Sequence, residues 1–328
     1  MRSPKVLITT VPFGNKNPLP LNLLKDAKFD FVINPLNKKL TEDELFNLAS
    51  DFDVIIAGTE KITARIMDNA PHLRLISRVG IGLDGVDLNA AKERGIQVSY
   101  TPDAPTSAVA ELTIGMMLTL LRSVQISNLK MHEGVWHRYF GKRIQNCTIG
   151  IIGVGRIGSA VLAFLESFNT HKILVNDLNQ NLNFEKNANI EWASKKTIYQ
   201  NADIISLHVP LTPITQNLIK KEELQMMKND AVLINTSRGG IINELDLYNT
   251  MKSGHLSAAA IDVFNDEPYK GKLIEIDRCL LTAHMGSMSF DCRERMELEA
   301  TEEAIRFLQN KPLKGIVPEF EYELQLNE

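Results

Sequence analysis

Between an apolar strand pattern, TIGII (148–152), and a helical one, SAVLAFLESF (159–168), the chain reads Gly153-Val154-Gly155-Arg156-Ile157-Gly158. In this context the three glycines divide the labour. The first permits a tight turn, the second lets a pyrophosphate approach the backbone, and the third lets helix and strand pack closely. The helix N-terminus then offers unpaired N–H groups and a partial positive charge to phosphates. A second strand pattern, KILVN (172–176), leads into Asp177, at the spacing expected of an acid that accepts from both ribose hydroxyls. A carboxylate there repels a 2′-phosphate, and Leu178 and Asn179 follow it where an arginine would serve one. NAD is therefore expected in preference to NADP, held by Gly153, Gly155, Gly158 and Asp177.

The rhythm around this motif sets the fold class. KVLITT (5–10), FDFVIN (29–34), DVIIAG (53–58), LRLISRVG (73–80) and IQVSY (96–100) read as five strands, separated by helical segments such as 41–50 and 87–94. The pattern then restarts, with TIGII, KILVN, DIISLHV (203–209), AVLINTS (231–237), AAAIDVF (258–264) and CLLTA (279–283) as six more. Strands that are apolar throughout and alternate with helices form parallel sheets covered on both faces. Eleven such strands exceed one small domain. The expectation is an α/β protein of two doubly wound parallel-sheet domains. The boundary is placed in TPDAPTS (101–107). The helical segment 293–310 carries Met296, Ala300, Ala304 and Leu308 on one row, and so buries one face and returns the chain to the first domain. The expected division is 1–102 plus 293–328 as a discontinuous substrate domain, and 103–292 as the nucleotide domain.

Composition excludes several classes. A net charge of −4 with no long basic run gives no electrostatic case for nucleic acid or an anionic membrane. The most apolar helical stretch, 108–121, contains Glu111 and is short for a bilayer, so it reads as a core helix. Cys147, Cys279 and Cys292 lie far apart and form no CxxC pair; they read as reduced thiols of a cytoplasmic protein. No metal site is expected.

Ligands of open parallel sheets collect outside the carboxyl ends of the strands. Three ionisable residues stand there: Arg238 after AVLINTS, Glu267 shortly after AAAIDVF, and His284 after CLLTA. Each alone is an ordinary structural residue. Together, at the ends of three strands of one nucleotide-binding sheet, they match the needs of ketone reduction. A histidine exchanges the proton near neutrality. A carboxylate on its other nitrogen fixes the ring and stabilises the imidazolium. An arginine fork suits a carboxylate beside a ketone oxygen.

Seven stretches, in order, resemble the D-isomer-specific 2-hydroxyacid dehydrogenases: RVGIGLDGVD (78–87), AVAELTIGMML (108–118), GIIGVGRIG (150–158), ISLHVPLTPIT (205–215), LINTSRGGIINE (233–244), AAIDVFNDEP (259–268) and TAHMGS (282–287). The resemblance implies a flavodoxin-like substrate domain and a Rossmann NAD domain. It puts the family's Arg/Glu/His set on Arg238, Glu267 and His284. It puts the substrate carboxylate on the backbone of Val79, Gly80 and Ile81, and further cofactor contacts on Arg156, Ile157, His208, Pro210, Thr236 and Asp262. It also implies a homodimer built on the nucleotide domain and its connecting helix. The branch of closest appearance is that of the phosphoglycerate dehydrogenases, which makes 3-phosphoglycerate one candidate substrate. Two departures stand out. Gly85 replaces a common Asn, which is expected to loosen the substrate loop. Ala57 takes the position at which that branch places a phosphate-binding arginine, leaving Lys61 and Arg78 as the cations for a phosphate. An NAD-sensing corepressor or scaffold of the same fold is the alternative function.

Overall fold

Among the described residues the named strands all pair in parallel, in two separate sheets. The computed structural model describes residues 3–180 and 189–326. It divides into two units, Met1–Pro105 with Ser287–Glu328, and Thr106–Gly286. The first switch point falls inside the 101–107 stretch, because the helix that opens the second unit starts directly after Pro105, and the second precedes the expected 292/293, because the last long helix already starts at Phe290.

In the first unit, β1 (Lys5–Ile8), β2 (Asp30–Ile33), β3 (Val54–Ala57), β4 (Leu75–Arg78) and β5 (Gln97–Tyr100) form one sheet in the order β2-β1-β3-β4-β5. Helices α1 (Leu19–Asp26), α2 (Glu42–Ala49), α3 (Ala64–Asn69) and α4 (Leu88–Glu93) connect them. β3 and β4 are buried along their whole length, whereas edge strand β2 alternates and leaves Val32 exposed. Local chemistry sets the helix starts. Thr41 and Glu44 form a reciprocal capping box on α2, and the Asp87 side chain accepts from the Ala90 N–H at the start of α4.

The second unit opens with α5 (Thr106–Leu121) and α6 (Val124–His132), then a seven-stranded sheet. Its strands are β6 (Thr148–Ile152), β7 (Lys172–Asn176), β8 (Ile190–Trp192), β9 (Ile204–Leu207), β10 (Val232–Asn235), β11 (Ala258–Ile261) and β12 (Cys279–Leu281), ordered β12-β11-β10-β9-β6-β7-β8. Helices α7 (Arg156–Glu166), α8 (Lys195–Asn201), α9 (Lys221–Met226) and α10 (Glu244–Lys252) lie between them. The chain order reverses between β6 and β9, the switch point of a dinucleotide-binding sheet. α5 buries Val109, Ala110, Thr113, Met116 and Met117 and packs on α7 and β10, which makes it the core helix expected. Among the described residues no single helix is long and apolar enough to cross a membrane. β8 was not legible in the sequence: it is three residues long, with exposed Glu191 at its centre.

The chain then returns to the first unit through α11 (Phe290–Leu308) and α12 (Glu319–Leu326). Met296, Ala300 and Ala304 of α11 are buried as the i+4 row requires, and the Ser77 hydroxyl of β4 donates to the Ala300 carbonyl.

Candidate active site

The glycine loop leaves β6 at the switch point. Gly153 has φ +94, and a Cβ on it would stand 2.4 Å from the carbonyl oxygen of His208, the residue after β9. Only glycine permits that approach. A Cβ on Gly158 would lie 2.0 Å from the Gly153 carbonyl, so the third glycine closes helix onto loop. Gly155, the N-cap of α7, meets nothing within 4 Å. Its open side, at the N-terminus of an eleven-residue helix, leaves room for a phosphate group. Asp177, just past β7, accepts the Val154 N–H at 2.6 Å and the Asn179 N–H at 3.0 Å, which ties the acid to the loop. His208 bonds through Nε2 to the Ser206 hydroxyl at 2.9 Å, while its Nδ1 is buried with no partner among the described residues. Burial lowers this imidazole to about 4, so it stays neutral near pH 7. An orphaned polar atom beside the glycine loop, an open glycine and an acid at the ribose distance fit a dinucleotide. Arg156 and Ile157 open α7, and Pro210 lies exposed two residues past His208.

The other end of the sheet carries the ionisable set. β10, β11 and β12 are neighbours, and Arg238, Glu267 and His284 follow them in turn. His284 Nδ1 faces both Glu267 oxygens, at 3.0 and 3.1 Å. His284 is half-buried and has φ +51, a left-handed conformation that costs a non-glycine residue roughly 1 kcal/mol or more. Asp262 holds it there. The Asp262 carbonyl accepts the His284 N–H at 2.8 Å. Its fully buried carboxylate accepts Thr282 Oγ1 at 2.5 Å, Met285 N–H at 2.8 Å and Gly286 N–H at 2.9 Å. Asp262 therefore anchors the histidine turn. Gly286 packs close to Val109 and Asp262, so its small size serves this turn.

Arg238 leaves β10 in a turn shaped by buried Asn235, whose Oδ1 accepts from the N–H and hydroxyl of Ser237 while its Nδ2 donates to the Arg238 carbonyl. A Cβ on Gly239 would stand 2.1 Å from the Phe264 carbonyl, so the arginine turn lies hard against the loop that carries Glu267. The Phe264 N–H in turn donates to Glu267 Oε1 at 3.2 Å. The structure thus brings His284 and Glu267 into contact and binds the Arg238 turn to them through Phe264. Thr236 shares a hydrogen bond with Thr113 of α5 at 2.9 Å. Sequence reading missed Asn235, Gly239 and Asp262 as positioning residues. The paired glycines after Arg238 were the one local signal.

In the first unit, the 79–81 loop continues β4. The Val79 N–H donates to the Ala57 carbonyl at 2.9 Å and the Gly80 N–H to Thr101 Oγ1 at 2.7 Å. Of the three amides expected to bind a carboxylate, that of Ile81 is the one that no described residue takes. Gly80 has φ +132, and the buried Arg78 guanidinium lies against it, donating to the Val79 carbonyl. Ala57 is fully buried in the core of this unit. Gly85 is a packing residue: its Cβ would stand 2.9 Å from the Glu60 carbonyl. The loosening expected of it gives way to close contact.

A dinucleotide loop at a sheet's switch point, with an imidazole–carboxylate pair at the ends of neighbouring strands, defines a nucleotide-dependent oxidoreductase. The comparisons agree. Residues 114–286, more than half the chain, match the NAD-binding domain of the D-isomer-specific 2-hydroxyacid dehydrogenases. The chain is 35% identical over 279 residues to a hydroxypyruvate reductase of Thermotoga maritima, covering 83% of this chain and 90% of that one. It is 35% identical over 328 residues to a glyoxylate reductase of Thermofilum pendens, covering 97% and 95%. A D-lactate dehydrogenase from Aquifex aeolicus, solved with NAD and lactic acid, superposes with a TM-score of 0.83 at 27% identity, over 93% and 96% of the two chains. The chain belongs to the D-isomer-specific 2-hydroxyacid dehydrogenase family, and is an NAD-dependent dehydrogenase of that family.

Proposed function

We propose that the protein interconverts a small D-2-hydroxy acid and its 2-oxo acid, of glyoxylate or hydroxypyruvate size, in preference to 3-phosphoglycerate. NAD, when bound, exchanges hydride at the substrate's second carbon. His284 donates the proton to the carbonyl oxygen in reduction and takes it back in oxidation. Glu267 on Nδ1 orients the ring so that Nε2 faces substrate, and stabilises its charged form. Arg238 is the cation of the second unit for a carboxylate and its adjacent ketone oxygen, and within the first unit the 79–81 backbone is the carboxylate subsite. The observation that carries this reading is the pair of contacts between His284 Nδ1 and the Glu267 carboxylate.

The preference for an unphosphorylated acid rests on the first unit. Ala57 is buried where the phosphoglycerate branch has its arginine, and Arg78 is turned onto its own loop. The names of the two relatives above support the same choice. A homodimer also belongs to this reading. α6 buries no residue, and the stretch after it leaves Trp136 74% exposed and Phe140 wholly so. Aromatic side chains in such density mark a surface covered by protein, and a second copy is the proposed cover. The three cysteines are free and buried, in keeping with a reducing cytoplasmic setting.

NADH oxidation is to be followed with glyoxylate, hydroxypyruvate, pyruvate and 3-phosphohydroxypyruvate. The expected kcat/KM for the first two exceeds that for the phosphorylated acid at least about tenfold. The reverse order overturns the substrate choice. Tight NADH binding without turnover of any acid favours the scaffold function.

A further inference from the structure

Gln325 stands on α12, 237 to 242 residues along the chain from the backbone it touches. Its Nε2 donates to the carbonyls of Leu83 at 3.2 Å and Val86 at 3.0 Å, and its Oε1 accepts the Leu88 N–H at 3.0 Å. Among neutral side chains, only an amide offers donors and an acceptor in that arrangement. α12 is itself docked on α4: Asn89 Nδ2 reaches the Tyr322 carbonyl at 3.5 Å, and Lys92 pairs with Glu319. From the other side, Ile62 N–H donates to the Gly85 carbonyl at 2.7 Å and Asp87 N–H to the Ile62 carbonyl at 3.0 Å, in the contact that Gly85 makes possible. Residues 83–88 are thus held between two segments distant in sequence. Within the stretch, the Val86 N–H closes a turn on the Leu83 carbonyl.

One residue, Gly82, separates this stretch from Ile81. A loop gripped on two sides by distant segments is ordered by them, and whatever order it lacks must be supplied when a ligand binds. We propose that Gln325 is a positioning residue for substrate: through the backbone of Leu83, Val86 and Leu88 it fixes the loop that presents the Ile81 amide to the substrate carboxylate. The inference rests on the reading of the 79–81 backbone as the carboxylate subsite.

The test uses the full chain with Gln325→Ala, which removes all three bonds, and Gln325→Glu, which keeps an acceptor for Leu88 but sets a carboxylate against two carbonyls. Hydrogen exchange at the backbone of 81–88 is expected to rise about tenfold in both variants, with β1 and β3 unchanged. In steady state, KM for the 2-oxo acid is expected to rise about five- to tenfold, with kcat and the KM for NADH within about twofold. Unchanged exchange in both variants overturns the clamp. Faster exchange with an unchanged acid KM overturns the role in substrate binding. Faster exchange throughout the first unit, with kcat and KM altered together, marks a structural anchor only and also overturns it. A wild type that reduces no 2-oxo acid overturns the functional reading instead, and the exchange measurement still decides the clamp.

Discussion

At the scale of single residues, the site depends on polar groups buried with their partners. Asp262 illustrates this. Its carboxylate satisfies three donors of the 282–286 turn, and its carbonyl a fourth, so the left-handed His284 is over-determined by its surroundings. Asn235 performs the same service for the Arg238 turn. His208 differs, since its Nδ1 is left without a partner and burial holds the ring at about 4. In the unfolded chain the same ring binds a proton below about pH 6.5. Between those values the unfolded state carries the extra proton, so stability falls as pH falls from about 6.5 to about 4, by at most about 3 kcal/mol. His208→Asn is expected to remove that part of the slope. Urea unfolding midpoints of the NAD-free protein at pH 7 and pH 4.5 measure it. An equal loss in variant and wild type contradicts the assignment.

At the scale of elements, the glycine loop was legible because each glycine answers a local demand that no other residue meets. The structure separates those demands. Gly158 has a backbone carbonyl where its Cβ would be, whereas Gly155 has open space. Gly158→Ala is expected to destabilise the protein by several kcal/mol, about 3 or more. Gly155→Ala is expected to leave the unfolding free energy within about 0.5 kcal/mol of wild type yet raise the NADH dissociation constant at least about tenfold. Thermal melts and fluorescence titration with NADH distinguish the two. Wild-type NADH affinity in Gly155→Ala contradicts the cofactor placement. Strand positions were legible too, through unbroken Val and Ile runs, but strand ends were not. The patterns AVLINTS and AAAIDVF run on past Asn235 and Ile261, where the ladder stops and polar side chains such as Ser237 and Asp262 begin to shape the turns. Asn235, Gly239 and Asp262 gave too little sign of their roles because their partners are set by tertiary approach. Gln325 gave none at all, since nothing local to 319–326 points to a loop near residue 85.

At the scale of the whole molecule, the sequence pattern carried two parallel sheets, because alternation of strand and helix is a global signal. Assembly is the part that this pattern reads least well. Trp136 and Phe140 stand in solvent on a segment whose preceding helix buries no residue. Light scattering at micromolar concentration is expected to give twice the chain mass of 36.8 kDa. A Trp136→Ser/Phe140→Ser double variant is expected to give the single mass. A monomeric wild type, or a variant that remains dimeric, contradicts the proposed interface. The central claim, that the His284–Glu267 pair moves the substrate proton, is tested most directly by His284→Asn. Single-turnover NADH oxidation with the best 2-oxo acid is predicted to slow by about 10²–10⁴-fold, while NADH binds within about twofold of wild type. A variant that turns over within about tenfold of the wild-type rate contradicts the account.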